Sequence, residues 1–507
     1  MAALAAATAL TADSIALDTN KHGVSVAELQ KHTSLENGVW VAINGEVYDL
    51  TEFLLRHPGG AKIILKYAGK NASTIFNKFH PKDVFEQFLT PEQHLGPLLG
   101  ELQPAQDITE GEEDEARLVR IEKKPALAKI FNASDFEHIC KQIIPPNAWA
   151  YYSSAADDEI SLRENHYAYQ RVFFNPRVLR NVTEIDLTTT MLGVRVDAPF
   201  YCSAAALAKL GQPEGELSIA RGCGSENIIQ MISNNASYTF DEIVDAAKPD
   251  QPQWFQLYVS ENRDLNYKAI EKCNKRGIKG IFVTVDAALF GKREKDMRFH
   301  LLEDDDDDGD AGDNLSESGK ILSAKDPGLT WEDIKKFKKA TDLPIVLKGI
   351  QTVDDVLMAI DHEVKGVVLS NHGGRQLDFS RAPLEVLADV SKVLKEKKLE
   401  DKLEIYLDGG VRRGTDILKA LCLGAKGVGL GRPFLYANSA YGQEGVEKLI
   451  QLLKLELSVD MKLLGVSKID ELGPEYLDIR NLHARHLVAD LMYNSAYDPL
   501  RPPEFRK

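Results

Sequence analysis

Cysteine is scarce in this chain. Five occur in 507 residues, Cys140, Cys202, Cys223, Cys273 and Cys422, and none sits in a Cys-x-x-Cys pair. An odd, scattered set excludes a disulfide framework and a thiolate zinc site, and the five read as reduced, buried apolar residues. Positive charge is also short: 61 Lys and Arg stand against 77 Asp and Glu, a net of −16, which disfavours a nucleic-acid partner. No apolar run approaches the ~20 residues that cross a bilayer, so no membrane span is expected. The stretch Met1–Leu10 is apolar but lacks a basic flank, the first lysine being Lys21 and acids already standing at Asp13 and Asp18. That pattern fits neither a secretory signal nor an Arg-rich transit peptide, and a frayed leader is expected.

At 507 residues the chain is too long for one ordinary core, so two or more domains are expected. Residues 22–100 read as the first. Val39–Ile43, Asn44-Gly45 and Glu46–Leu50 form a hairpin pattern, because Asn-Gly favours a type I′ turn. Thr51 is expected to cap a short helix, followed by His57-Pro-Gly-Gly60, helices over Ala61–Ala68 and Ala72–Lys78, and His80-Pro81. Two histidines thus each follow a helix and precede a proline, with apolar and aromatic residues between them. Zinc would want more ligands than this segment supplies. Two neutral imidazoles closing on one metal from opposite sides suit a haem iron in an apolar slot.

Residues 101–131 lose apolar content and gain acids, notably Glu110–Glu115, and are expected to form a solvated, flexible linker. Helical periodicity resumes at Asn132 with Ser134 as the expected cap, opening a large domain over 132–485.

In that domain eight apolar runs alternate with amphipathic segments. The runs are Pro199–Leu207, Ile228–Ser233, Gln253–Val259, Gly280–Asp286, Leu343–Gly349, Gly366–His372, Leu403–Gly410 and Gly427–Phe434. Eight strand–helix units point to an α/β fold, a (β/α)₈ TIM barrel. A doubly wound sheet is the alternative, but no Gly-x-Gly-x-x-Gly follows the first run. The barrel predicts that polar residues at the strand ends meet on one rim. Those ends supply Ser233, Gln256 with Tyr258, Thr284 with Asp286, Lys348, His372 and Asp408. After the sixth run comes Ser370-Asn-His372-Gly-Gly-Arg375, a base that titrates near neutrality beside a planar fork suited to a carboxylate. The seventh and eighth runs end in Asp408-Gly409-Gly410-Val-Arg412 and Gly431-Arg432, loops of the kind that hold a phosphate.

His-Pro-Gly-Gly in its context resembles the cytochrome b5 family, whose axial haem ligands match His57 and His80. The runs Tyr151-Tyr152, Gln256-Leu-Tyr258, Thr284-Val-Asp286, Gly291-Lys-Arg293-Glu, Ser370–Arg375 and Asp408–Gly414 resemble the FMN-dependent α-hydroxy-acid dehydrogenases and oxidases. The tandem order, a small α+β haem domain before the barrel, is similar to the flavocytochrome b2 group. The resemblance implies oxidation of an L-2-hydroxy acid, L-lactate first, by FMN, with electrons passed through haem b to cytochrome c. It implies that His372 takes a substrate proton, Asp286 stabilises the imidazolium, and Arg375 and Tyr151 hold the substrate carboxylate. Tyr258 would meet the substrate hydroxyl and Arg293 would add charge. FMN would contact Ser203, Ala204, Ala205, Ala206, Ser233, Gln256, Thr284 and Lys348, with the Asp408–Arg412 loop (Gly409 and Gly410 included) and Gly431-Arg432 on its phosphate and ribityl chain. A homotetramer is implied, with the tail 486–507 embracing neighbouring subunits. The resemblance points to the mitochondrial intermembrane space, although the leader leaves the cytosol open.

Three positions depart from the family pattern. Ala205 stands where a threonine is usual, Phe88 where a tyrosine is expected near the haem, and Asn235 where lactate-active relatives place an apolar residue beside the substrate. A polar amide at 235 suits a larger or more polar acid. The acid run Glu303–Asp308 falls in a long insertion after the fourth barrel strand and is expected to be a solvated loop.

Overall fold

A computed structural model describes residues 23–54, 57, 61–80, 84–105, 112–301 and 326–485. The leader, the Pro58–Gly60 turn, Pro81, the acid run after Glu303 and the tail from 486 lie outside the described residues. The chain divides into two compact units. The first comprises residues to Leu54, Ala61–Thr74 and Phe88–Gln106, and the second holds Leu55–Gly60, Ile75–Gln87 and everything from Asp107. The histidine-bearing segments therefore count with the second unit, a division the expected 22–100 boundary does not draw.

The first unit is a five-stranded sheet in the spatial order Val24–Ser25, His94–Leu99, Glu46–Asp49, Gly38–Ile43, Thr33–Ser34. Its hairpin turns through Asn44 at φ 53° and Gly45 at φ 87°, the two left-handed residues that a type I′ turn requires. Leu29, Ala42 and Val47 form its buried centre. The Thr51 hydroxyl accepts the Val39 N–H at 2.8 Å and so closes the end of the hairpin, and the short helix expected after it runs into residues outside the described ones.

The second unit is a closed parallel barrel of eight strands. They are β1 (Phe200–Cys202), β2 (Gln230–Ser233), β3 (Gln253–Tyr258), β4 (Ile281–Thr284), β5 (Ile345–Ile350), β6 (Gly366–Leu369), β7 (Glu404–Asp408) and β8 (Gly427–Leu430), with β8 pairing back onto β1. A two-stranded ribbon, Thr189–Met191 with Val194–Val196, sends Met191 and Val196 into the apolar cluster of the barrel interior. That cluster contains Tyr201, Met231, Trp254, Phe282, Val346, Val368 and Tyr406, one from each of β1 to β7. On β8 the glycines make room: a Cβ on Gly429 would fall 2.8 Å from the Tyr201 ring, and one on Gly427 would fall 2.3 Å from the Met191 sulfur.

Residues 112–131 differ from the expected linker. Glu112–Glu122 is a helix, and Arg117 and Arg120 donate to the carbonyls of Ile143 and Gln142 at 3.4 and 2.8 Å. Those carbonyls belong to the last turn of the helix Ala133–Ile143, where no intrahelical N–H is available to them. Lys124 adds a bond to the Ala440 carbonyl at 2.7 Å. The acid-rich composition concealed basic residues spaced to dock this segment. The cap of Ala133–Ile143 is Asn132, whose side chain accepts the Asp135 N–H, rather than Ser134.

Candidate active site

Strand side chains alternate between two faces, so the residue two places beyond each interior apolar group also points inward. Two beyond Tyr201, Met231, Trp254, Phe282, Val346, Val368 and Tyr406 stand Ser203, Ser233, Gln256, Thr284, Lys348, Ser370 and Asp408. All seven are buried. One layer of the barrel is thus apolar and the next, toward the C-terminal rim, entirely polar. Within it Ser233 donates to Gln256 Oε1 at 3.4 Å and Gln256 Nε2 to Thr284 Oγ1 at 2.8 Å. On the opposite side Lys348 Nζ reaches Ser370 Oγ at 3.4 Å and Asp408 Oδ2 at 3.6 Å, and Ser370 donates to Asp408. A buried lysine is tolerable only with such partners.

His372 leads out of this layer. It has φ 58°, and Gly373 and Gly374 follow at 65° and 79°, so three successive left-handed residues turn the chain back over the rim. A non-glycine residue held there is strained, the kind of strain found at functional sites. A Cβ on Gly374 would strike the Leu162 backbone at 2.6 Å, which keeps that position bare. His372 Nδ1 lies 3.1 and 3.3 Å from the two Asp286 oxygens, and Nε2 lies 3.0 Å from the Tyr258 hydroxyl. A carboxylate only accepts, so Nδ1 carries the proton and Nε2 presents its lone pair. Burial, then the charge of Lys348, lowers the His372 pKa, with Asp286 acting against both. Burial alone would raise the Asp286 carboxyl, yet His372 and Lys348 more than offset it and the net shift is downward. Gly349 permits the approach, for its Cβ would lie 2.4 Å from the Asp286 carboxyl carbon. Tyr258 is pushed well up by burial and stays protonated.

Arg375 is half-buried beside this pair. Its Nη1 donates to the carbonyls of Tyr151 and Ser154 at 2.7 and 2.9 Å, and its guanidinium lies 4.9 Å from the Tyr151 ring centre. Arg293 approaches the same ring at 5.7 Å and pairs with Asp296 at 3.2 Å. Burial, and then Arg293, lowers the Arg375 pKa to about 10. Two guanidiniums around one tyrosine make a locally positive wall that an anion would relieve. Asn235, half-buried, donates its N–H to Ser233 Oγ and accepts from Asn234 Nδ2 at 3.4 Å.

The two arginines expected at a phosphate are engaged elsewhere. Arg432 donates to the carbonyls of Tyr152, Gly373 and Ser154 at 2.9, 3.0 and 2.8 Å, which ties the Tyr151-Tyr152 segment to the His372 turn. Arg412 pairs with Glu137 at 2.7 Å. The N–H groups of Arg412 and Arg413 go to Asp416, and that of Gly414 to Glu456. Carboxylates therefore cap this helix start, leaving the turns at Gly409-Gly410 and Gly431 nearest the barrel mouth. Of the residues after β1, Ala204 packs on the interior cluster and Ala205 and Ala206 are half-buried.

Sequence reasoning passed over four residues of the same motif. Gln376 donates to the carbonyls of Asp286 and Leu289 at 2.8 and 2.9 Å and accepts the Gly291 N–H, pinning the loop after β4 to the His372 turn. Asn371 exchanges amide bonds of 2.7 Å with Asn165. Asp378 accepts the N–H groups of Ile160 and Ser161 at a helix start, and Ser370 joins Lys348 to Asp408. The signal was present, since polar residues in an unbroken run after a strand have to be spent on something.

The His57 and His80 rings have centroids 5.8 Å apart, inclined at 66°. Two imidazoles on one six-coordinate iron, each with N–Fe of about 2 Å, place their centroids about 6 Å apart, so the spacing fits a haem iron. Burial, and then His57, lowers the His80 pKa to about 3, which keeps it in the neutral ligand form. Among the described residues no group of three or more His, Cys, Asp or Glu side chains is placed to hold a metal ion, and no helix is long and apolar enough to cross a membrane. Phe88 is 39% exposed, with its ring 6.1 Å from that of Phe53.

Residues 140–479 match the model of the FMN-dependent dehydrogenase family, and residues 25–99 match the cytochrome b5-like haem/steroid-binding domain. An L-lactate dehydrogenase (cytochrome) of Wickerhamomyces anomalus is 54% identical, over 94% of this chain and 84% of its own length. The Saccharomyces cerevisiae enzyme of that name is 50% identical, over 96% and 85%. A human 2-hydroxyacid oxidase 1 is 37% identical over 68% of this chain and 95% of its own. Among solved structures, a mutant flavocytochrome b2 with pyruvate bound aligns with a TM-score of 0.71 at 50% identity, covering 78% of this chain and 99% of that one. The residues present fit the two groups this implies: a polar, lysine-bearing barrel mouth for FMN, and two imidazoles at the spacing of axial ligands, His80 held in its neutral form, for haem b. The chain belongs to the FMN-dependent dehydrogenase family and carries a cytochrome b5-like haem domain ahead of its flavin barrel.

Proposed function

We propose that this chain oxidises an L-2-hydroxy acid at His372, L-lactate to pyruvate being the first candidate, and delivers the electrons through the haem of His57 and His80 to cytochrome c. The observation that carries the proposal is the line Asp286–His372–Tyr258 beside Arg375: a base backed by a carboxylate and faced by a phenol, next to a half-buried guanidinium. When bound, FMN supplies a two-electron acceptor and haem b a one-electron relay. His372 Nε2 takes a proton from the substrate, and Asp286 stabilises the imidazolium that forms. Arg375 holds the substrate carboxylate with the nitrogens other than Nη1, aided by Tyr151 and Arg293. The Tyr258 hydroxyl meets the substrate hydroxyl and orients it toward Nε2.

Ser233, Gln256, Thr284 and Lys348 face the flavin ring, with Ser203–Ala206 beside it. A lysine charge at that edge favours the ring when it has gained electrons. The phosphate end falls to the Gly409-Gly410 and Gly431 turns and to Arg412 after it leaves Glu137, while Arg432 keeps the rim segments together. The names and identities of the two fungal relatives support lactate and a cytochrome acceptor. Asn235 favours a second reading, a larger or more polar 2-hydroxy acid. Family resemblance supports a homotetramer and the mitochondrial intermembrane space, which sedimentation of the purified protein and cell fractionation would test.

The test is anaerobic mixing with L-lactate while flavin and haem absorbance are followed together. Flavin bleaching followed by a reduced b-type spectrum is expected. If only a bulkier acid bleaches both, lactate is replaced as the substrate; if no 2-hydroxy acid does, the role of His372 is wrong.

A further inference from the structure

Glu216 lies outside the set described above, on the first turn of the helix Gly215–Ser225, and is 3% exposed. One of its carboxyl oxygens, Oε1, accepts two backbone N–H groups, that of Ala208 at 3.0 Å and that of Ser237 at 2.9 Å. Ala208 closes the loop that leaves β1 through Ser203–Ala206, and Ser237 closes the loop that leaves β2 through Ser233–Asn235. A single atom therefore bonds both loops that flank the flavin face and the Asn235 position, beside a longer direct bond from the Lys209 N–H to Ser237 Oγ at 3.3 Å. The Glu216 carbonyl takes part as well, accepting Gln230 Nε2 at 3.2 Å at the start of β2.

Glu216 lines a small cavity of about 10 Å³ with Ser203, Ala205, Gln230 and Ser233, and its Oε2 is buried without a hydrogen-bond partner. With a void beneath the loops, the two shorter bonds to Oε1 hold their spacing together with the Lys209–Ser237 bond. Burial raises the Glu216 pKa, the two backbone N–H groups acting against it. In either protonation state Oε1 can accept both amides, as the oxygen of a glutamine side chain would.

We propose that Glu216 is a positioning residue for the flavin site, setting the separation of the loops after β1 and β2 through its shared acceptor oxygen. The inference rests on the flavin assignment of that rim, which the FMN content of the wild-type protein checks separately.

The experiment compares full-length wild type with Glu216→Gln and Glu216→Leu, reading FMN dissociation constant, the flavin visible band, and the haem Soret band as a control on folding. Glu216→Gln should bind FMN within about 3-fold of wild type, because its amide oxygen replaces Oε1. Glu216→Leu leaves two buried N–H groups unpaired and should bind FMN about 10- to 100-fold more weakly, with a shifted flavin band and an unchanged Soret band. Should the leucine variant fail to fold, Glu216→Asp, one carbon short of both amides, should show an intermediate loss with the same band shift. The proposal is overturned if the leucine or aspartate variant keeps wild-type affinity and spectrum. It is equally overturned if the glutamine variant is as impaired as the leucine one, since charge and not acceptor geometry would then be what matters.

Discussion

Nδ1 of His372 lies 3.1 Å from Oδ1 of Asp286, whose carboxyl occupies space that a side chain at residue 349 would take. The aspartate sets the tautomer and leaves Nε2 free of its proton. Asp286→Asn removes the charge that stabilises an imidazolium and lets the ring turn over to the wrong tautomer. A fall in kcat of about 100-fold or more is expected, with flavin and haem content retained. Steady-state turnover against a cytochrome c acceptor, alongside absorbance spectra, checks this.

The same contact predicts a pH effect with a definite sign. The neutral form of His372 is the base, and its pKa is lowered from 6.5. Activity should therefore fall only on the acid side, with a midpoint below 6.5, and kcat/KM should be flat from there through neutrality. Asp286 acts to raise that pKa, so in Asp286→Asn the residual activity should show its acid limb at still lower pH. A limb that moves upward would contradict the arrangement.

Tyr258→Phe deletes the hydroxyl 3.0 Å from Nε2 and nothing else of comparable size. One hydrogen bond to the reacting group is lost, and a drop in kcat of about 10-fold is expected with KM changed less. A larger change in KM than in kcat would make Tyr258 a binding group only.

Asn235→Leu replaces an amide with an apolar side chain of similar volume. The ratio of kcat/KM for lactate to that for a larger or more polar 2-hydroxy acid should rise by about 10-fold, as one misplaced polar group in a binding site commonly costs. An unchanged ratio would remove Asn235 from the substrate pocket.

Arg432→Lys tests a residue whose place differs from expectation. A lysine cannot span three carbonyls, so the tie between Tyr152, Ser154 and Gly373 should loosen at a cost of about 1–3 kcal/mol. Thermal unfolding of the flavin barrel should shift downward. If FMN affinity falls while the unfolding midpoint holds, the guanidinium serves the phosphate after all.

Much of this molecule was legible because barrels convert sequence period into position. Apolar runs ending in polar residues could be counted, and alternation then sent Gln256, Thr284, Lys348 and Asp408 to one layer without further information. Asn44-Gly45 declared its turn for an equally local reason, the need for two left-handed residues in succession. Where composition misled, the missing fact was a partner far along the chain. The acid-rich 112–122 segment looked like solvated linker until Arg117 and Arg120 met the carbonyls of a later helix.

The local chemistry, namely a base, a carboxylate, a phenol and a guanidinium at strand ends, was thus determined by the sequence alone, since each depends on residue type and spacing. Which nitrogen of His372 holds the proton was decided only when the loops after β4 and β6 brought Asp286 and His372 within one hydrogen bond. So was the engagement of Arg432 with three rim carbonyls, and the bonding of two loops to one oxygen of Glu216. A hydrogen bond such as that from Arg432 to the Tyr152 carbonyl, 280 positions away, depends on closure of the whole barrel, and no local pattern encodes it.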